Sequence, residues 1–67
     1  MDIRLNNHLI HLPADVETLA ELAANQGIPS GGTAITLNNK IIRREKWAET
    51  ILHEGDSVVV ITAAFGG

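Results

Sequence analysis

The chain has 67 residues, of which 45% are hydrophobic and 19% are charged, and its net charge is −3. This length fits one folded domain with a thin core, which leaves little interior room for a buried active site. The acidic balance, the single Trp and Phe, and the absence of cysteine argue against nucleic-acid binding, disulfide bonds and thiol catalysis.

The first residues, MDIRLNNHLIHLP, have neither the basic start nor the long apolar run of a signal peptide. No stretch of the chain approaches the roughly 18 apolar residues that a membrane-spanning helix needs. We therefore expect a cytoplasmic protein that has no membrane partner and no nucleic-acid partner.

The segment DIRLNNHLIHLP predicts a β-hairpin. Apolar and polar residues alternate on both sides of Asn6-Asn7, a pair that favours a tight turn. Pro13 ends the second strand because it has no amide hydrogen for a β-ladder. His8 and His11 fall on opposite faces of that strand, and no cysteine or carboxylate cluster joins them, so we expect no metal site.

The next segment, VETLAELAANQGIP, predicts a short α-helix that starts near Thr18. Thr18 and Glu21 are three residues apart, which is the spacing of a capping box. Gly27 suits the left-handed position after the last turn and Pro29 prevents continuation, so we expect about two to three turns. Residues 29–32, PSGG, then form a loop. The residues that share one apolar face of the helix are Leu19, Leu22 and Ala23.

Residues 33–37, TAITL, alternate again and predict a third strand, with Ile35 and Leu37 on the same side. Residues 38–40, NNK, are typical of a turn. The brief apolar pair at residues 41–42 then predicts a short fourth strand that follows this turn.

The segment RREKWAETIL predicts a helical turn from Arg44, with Trp47 and Ile51 as its inward-facing members. Arg43 and Arg44 form the only adjacent basic pair. We expect them either to be solvated or to contact an acidic surface of a partner.

The segment EGDSVVVITAA predicts a tight turn at residues 54–56 followed by a central strand. The apolar, β-branched run is typical of a strand that is covered on both faces. If Val58 and Val60 meet the helix, Val59 and Ile61 face the other side, where loops or a partner protein cover them. Left exposed, that face is an association site.

Taken together, the elements predict an α+β protein of the β-grasp, or ubiquitin-like, class. A central last strand lies parallel to the first, as right-handed crossover rules permit. We expect residues 1–67 to form one domain, with a mixed four- to five-stranded sheet packed on one main helix. Residues 64–67 are expected to form a flexible C-terminal tail.

The sequence ends in AAFGG. Glycine has no side chain to react, so a function at Gly66 and Gly67 belongs to the backbone or to the terminal carboxylate. Two glycines also form a chain thin enough to enter a narrow, enclosed site of another protein. Phe65 either folds back on the domain or anchors a partner.

Three stretches resemble one known family: NNKIIRREKW at residues 38–47, EGDSVVVITA at residues 54–63, and the final FGG. These stretches are similar to those of the small sulfur-carrier proteins of thiamine biosynthesis, the ThiS family, which are β-grasp domains ending in Gly-Gly. The resemblance extends over essentially the whole chain. Two positions depart from it, since Arg43 replaces a frequent proline and Phe65 replaces a commonly small residue.

The resemblance implies a carrier cycle in which the chain itself catalyses nothing. An adenylating enzyme of the ThiF type activates the carboxylate of Gly67 with ATP, and a sulfur-donating enzyme supplies the sulfur of a thiocarboxylate. Thiazole synthase, ThiG, then takes the sulfur. No cofactor is expected on the chain. The residues expected to bind these partners are Gly66, Phe65, Ala64, Val59 and Ile61.

Two other functions fit the same sequence. The small subunit of molybdopterin synthase is a sulfur carrier with a similar end, although its domain tends to be longer. A non-covalent, ubiquitin-like binding module would use its glycines only as an end. The length favours the thiazole pathway.

Overall fold

The computed structural model describes residues 1–29 and 31–62, which form a five-stranded mixed sheet and one α-helix. The predicted tail, residues 64–67, lies outside the described residues. The strands are β1 (Asp2–Leu5), β2 (His8–His11), β3 (Thr33–Leu37), β4 (Lys40–Ile42) and β5 (Ser57–Thr62). The helices are α1 (Leu19–Asn25) and a 3₁₀-helix (Arg44–Glu49).

The strands lie in the order β2-β1-β5-β3-β4, so the last strand is central. It pairs parallel to β1 and antiparallel to β3, while β1–β2 and β3–β4 form antiparallel hairpins. This is the β-grasp arrangement, and the predicted fold class is confirmed.

Both hairpins turn on asparagine pairs. Asn6 and Asn7 have φ values of 50° and 67°, and Asn38 and Asn39 have φ values of 50° and 70°. Two consecutive positive φ angles give the turn whose twist matches the flanking strands, and Asn tolerates them. The first predicted turn is confirmed, whereas the second is one residue shorter than predicted because Lys40 begins β4.

The helix begins with the predicted capping box. Thr18 Oγ1 accepts a hydrogen bond from the Glu21 N–H at 3.1 Å, and Glu21 Oε1 accepts one from the Thr18 N–H at 3.0 Å. Gly27 follows the helix with φ of 67°, the left-handed conformation expected of it. These local signals end α1 after only seven residues.

One face of α1 packs on the inner face of the sheet. The predicted helix residues Leu19, Leu22 and Ala23 are all buried. Trp47 is buried too, and its indole N–H donates to the Ile42 carbonyl at 2.9 Å, so its predicted place in the core is confirmed. The core consists of Ile3, Leu12, Val16, Leu19, Leu22, Ala23, Ile35, Trp47, Leu52 and Val58.

The predicted inward position of Ile51 is wrong, since that side chain is 54% exposed and its neighbour Leu52 is buried. A continuous helix would have put Trp47 and Ile51 on one face, but the backbone becomes extended at Thr50, with φ −92° and ψ 109°. The extended segment is held to the start of α1, because the Leu52 N–H donates to the Glu17 carbonyl at 2.8 Å. Alternation along this segment turns Leu52 inward.

Candidate functional site

The central strand β5 separates an inner from an outer surface. Val58 is buried and Val60 is half-buried against the core, whereas Val59 and Ile61 point outward and are 37% and 55% exposed. The predicted division of these four side chains is confirmed. Cover on both faces was also expected, but the described loops leave the outward pair in solvent. The sheet therefore presents apolar side chains on its outer face.

The outer face extends beyond β5. The strand register places Thr36 opposite both Val59 and Ile41, and it places Ala34 opposite Ile61. At the other side of the sheet, Arg4 is opposite Leu9. We use "outer face" for these outward side chains: Arg4, Leu9, Ala34, Thr36, Ile41, Val59 and Ile61.

Leu9 and Ile41 are functional candidates that sequence reasoning missed, and both are highly exposed. The available signal was the alternation within each strand, which turns Leu9 away from Ile10 and Ile41 away from Ile42. Isolated exposed apolar residues are ordinary on protein surfaces. Several of them on one face of a sheet indicate an association surface.

The side chains of two turn asparagines bind the backbone of β5. Asn38 Oδ1 accepts a hydrogen bond from the Ser57 N–H at 2.9 Å, where the strand begins. Asn6 Oδ1 accepts one from the Val60 N–H at 2.8 Å. Val60 is two positions beyond Val58, the last residue of β5 that pairs with β1. These two bonds attach β5 to the turns that follow β1 and β3, its two neighbouring strands. The strand that precedes the AAFGG segment in the sequence is thereby fixed in the sheet.

The loop before β5 is also held. Gly55 has φ of 84°, which confirms the predicted turn at residues 54–56. The Asp2 N–H donates to both carboxylate oxygens of Glu54, at 3.0 and 3.1 Å, and the Gly55 N–H donates to the Asp2 carbonyl at 2.8 Å. The Glu54 carboxylate therefore makes a structural contact with β1, and the Asp56 carboxylate accepts hydrogen bonds from the Asn38 side chain and the His53 N–H.

Within residues 1–29 and 31–62 there is no pocket and no group of three or more His, Cys, Asp or Glu side chains placed to hold a metal ion. No helix of this part of the chain has the length and apolar character to cross a membrane. At the start of α1, hydrogen bonds from the Glu17 N–H, which is the larger cause, and from the Thr18 N–H lower the pKa of the Glu21 carboxyl.

Of the predicted site residues, Val59 and Ile61 are described, and the structure places both on the outer face. Ala64, Phe65, Gly66 and Gly67 lie outside the described residues. The described part of the site is thus a surface that suits binding to another protein.

Comparison with known proteins gives one consistent family. The ThiS family model matches residues 3–67. Sulfur carrier protein ThiS of Escherichia coli strain K12 is 30% identical over 67 residues, which is 100% of each chain.

Solved structures agree in fold. The crystal structure of a thiamine biosynthesis protein (ThiS) from Geobacter metallireducens superposes with a TM-score of 0.84 at 20% identity and full coverage of both chains. The solution NMR structure of a thiamine biosynthesis protein from the same organism gives 0.81 at 20% identity, covering 100% of this chain and 88% of the other. The family match from residue 3 to residue 67 and the shared β-grasp fold lead to one conclusion: this chain belongs to the ThiS family.

Proposed function

We propose that this chain is a sulfur carrier of thiamine biosynthesis and that it carries sulfur as a thiocarboxylate at Gly67. The observation that carries the proposal is the family match, which continues through Gly66 and Gly67. The E. coli relative, which is named a sulfur carrier protein, matches over its full length. This relationship favours the thiazole pathway over the molybdopterin alternative.

The first step of the proposed cycle activates the terminal carboxylate. An α-carboxyl group has a pKa of about 3.3–3.7, so at neutral pH it is a carboxylate and a poor electrophile. One carboxylate oxygen attacks the α-phosphorus of ATP on an adenylating enzyme of the ThiF type. A bond forms between that oxygen and phosphorus, the bond to pyrophosphate breaks, and an acyl-adenylate results.

The second step exchanges AMP for sulfur. A sulfur nucleophile at the oxidation level of sulfide, provided by a sulfur-donating enzyme, attacks the acyl carbon. The carbon–oxygen bond to AMP breaks, AMP leaves with that electron pair, and a thiocarboxylate remains on Gly67. Thiazole synthase, ThiG, then accepts the sulfur. The cycle consumes ATP, which favours the cytoplasm as its location.

The glycines suit this chemistry for a steric reason. An enclosed site accelerates adenylation by holding the carboxylate and the α-phosphate in the reacting geometry. A chain without side chains enters such a site with the least bulk, and Gly66 and Gly67 have none. The partner's main-chain hydrogen bonds must offset the conformational entropy that glycine loses there.

The outer face is the docking surface in this proposal. Val59 and Ile61 are exposed, apolar and located on the strand that precedes the AAFGG segment. Together with Ala64, Phe65 and Gly66 they would contact the partner, while the partner supplies the catalytic groups and binds ATP. The chain then acts as a protein-bound substrate and holds no cofactor of its own.

A reconstitution tests this function. The chain is incubated with its cognate ThiF-type enzyme, ATP and sulfide, and the intact protein is weighed by mass spectrometry. We expect the mass to change by one sulfur gained and one oxygen lost, and the change to require ATP. A chain that lacks Gly66 and Gly67 is the control and stays unmodified. If the full chain forms neither an AMP adduct nor a thiocarboxylate, it is a non-covalent binding module instead.

A further inference from the structure

Arg4 is the one charged side chain among the residues that define the outer face, and Asp2 lies on the same side of β1. Arg4 points outward from β1 and is exposed, while its neighbour Ile3 is fully buried in the core. The register places it opposite Leu9 on one side and Ser57 on the other. Val59 lies two residues beyond Ser57 on the neighbouring strand, so from strand geometry it is roughly 8 Å from Arg4.

No ion pair within residues 1–29 and 31–62 includes Arg4. Neighbouring side chains on one face of a sheet normally provide such partners, but both cross-strand neighbours of Arg4 are uncharged. Asp2 is the carboxylate residue on the same side of β1, and its Oδ1 lies 2.6 Å from His11 Nδ1. Among the described residues, then, none neutralises the Arg4 guanidinium with an ion pair.

We propose that Arg4 forms an ion pair with a carboxylate on the adenylating enzyme, so the surface that covers the outer face is apolar and carries an Asp or Glu above Arg4. This inference rests on the proposed function. A guanidinium stays charged at every physiological pH, and a partner that covers the outer face removes water from it. An unpaired charge in that position would weaken the complex.

The net charge of the chain argues against a general attraction to acidic surfaces. With a net charge of −3, the chain as a whole repels acidic surfaces. A carboxylate above Arg4 must therefore be selected by local contact rather than by long-range attraction. Reversing the charge of Arg4 places two negative groups together, which discriminates strongly against binding.

The test compares two charge reversals in the full-length chain. Arg4→Glu reverses the outer-face cation, and Lys40→Glu makes the same change in charge at an exposed residue of β4 that is turned away from the outer face and likewise forms no ion pair with a described residue. Dissociation constants for the cognate ThiF-type enzyme are measured at about 50 mM and about 500 mM NaCl, because added salt screens ion pairs. Thermal unfolding monitored by circular dichroism confirms that each variant is folded.

We expect Arg4→Glu to weaken binding roughly tenfold or more at low salt, Arg4→Gln to weaken it less, and Lys40→Glu to change it less than about twofold. Equal weakening by both reversals would indicate a net-charge effect and overturn the inference. So would binding of a folded Arg4→Glu variant at the wild-type affinity while the wild type is adenylated normally. A wild-type chain that is neither bound nor adenylated would overturn the proposed function, and the inference with it.

Discussion

Asn6 Oδ1 lies 2.8 Å from the Val60 nitrogen and accepts its N–H, although 54 positions separate the two residues in the sequence. The Asn6 N–H in turn donates to the Val58 carbonyl at 2.9 Å. The parallel pairing of β1 with β5 ends at Leu5 and Val58. One turn residue thus continues the ladder where the strand itself stops, and it does so beside the outward residues Val59 and Ile61.

This relationship predicts that Asn6→Gly destabilises the fold. Glycine accommodates the positive φ of Asn6, so the substitution removes the side-chain acceptor without adding backbone strain. We expect a loss of about 1 kcal/mol, the ordinary net contribution of one hydrogen bond. For a domain of this size that corresponds to a melting temperature lower by roughly 4–8 °C in thermal unfolding.

Asn7→Gly is the matched control for that experiment. Asn7 has a positive φ of 67° in the same turn, and its side chain makes no hydrogen bond to another residue of the described ranges. We expect its melting temperature to stay close to that of the wild type. Equal melting temperatures for the two glycine variants would show that the Asn6–Val60 bond contributes nothing measurable.

A second prediction concerns the outer face. Ile61→Asp should weaken binding to the ThiF-type enzyme by at least about tenfold, since it places a charge in an apolar contact. Ile51→Asp is a close control because Ile51 is 54% exposed and Ile61 is 55% exposed, and only Ile61 lies on the outer face. Titration calorimetry gives both dissociation constants. If the Ile51 variant loses as much affinity as the Ile61 variant, the outer face is not the docking surface.

A third prediction concerns the reacting end. Gly67→Ala adds a methyl group beside the carbonyl that is activated, and we expect adenylation to slow by about tenfold or more because the reacting groups are displaced. Pyrophosphate release during a single turnover measures the rate. The thermal unfolding of the variant should match that of the wild type. Unchanged adenylation would contradict the steric argument for a narrow site.

A fourth prediction concerns Arg43, which occupies the position of a frequent family proline. Its φ of −66° and ψ of 145° are the angles that a proline ring imposes, and its N–H makes no backbone hydrogen bond to any other residue in 1–29 or 31–62. Its contact with Glu45, at 3.6 Å, is exposed and contributes little. Arg43→Pro should therefore stabilise the chain by about 0.4–1 kcal/mol in denaturant unfolding, by restricting the unfolded state. A lower stability would show that the Arg43 side chain has a structural role.

A fifth prediction concerns pH. The pKa of Glu21 is lowered by hydrogen bonds from the Glu17 and Thr18 N–H groups, at 2.9 and 3.0 Å. A carboxyl whose folded pKa lies below its unfolded value of 4.5 stabilises the protein above that pH. This contribution is lost as the pH falls through the lower, folded value.

Glu21→Gln tests the effect because glutamine keeps the capping hydrogen bonds and removes the charge. We expect the variant to melt below the wild type at neutral pH and the difference to shrink as the pH falls below 4.5. Glu17→Gln, at a side chain that forms no hydrogen bond to the rest of the described chain, serves as the control. A difference that stays constant with pH would assign the effect to something other than titration of Glu21.

The sequence by itself determined the features that depend on neighbouring residues. The asparagine pair at residues 6–7, the Thr18–Glu21 capping box and Gly27 each act over a few residues, so their patterns predicted a turn, a helix start and a helix end. The apolar, β-branched run before residue 63 predicted a central strand with Val59 and Ile61 outward, because alternation is also a local property. The family resemblance rested on the same local stretches.

The tertiary structure decided what depends on segments far apart in the chain. Ile51 is exposed and Leu52 is buried because the extended segment after the 3₁₀-helix is held by hydrogen bonds to Glu17 and Leu19 at the start of α1. The outer face became visible only when the strand order placed Leu9 and Ile41 on the same side of the sheet as Val59 and Ile61. Sequence patterns report which way a side chain points from its own strand. Which side chains then become neighbours is set by strand order and register, since these arise from contacts between distant segments.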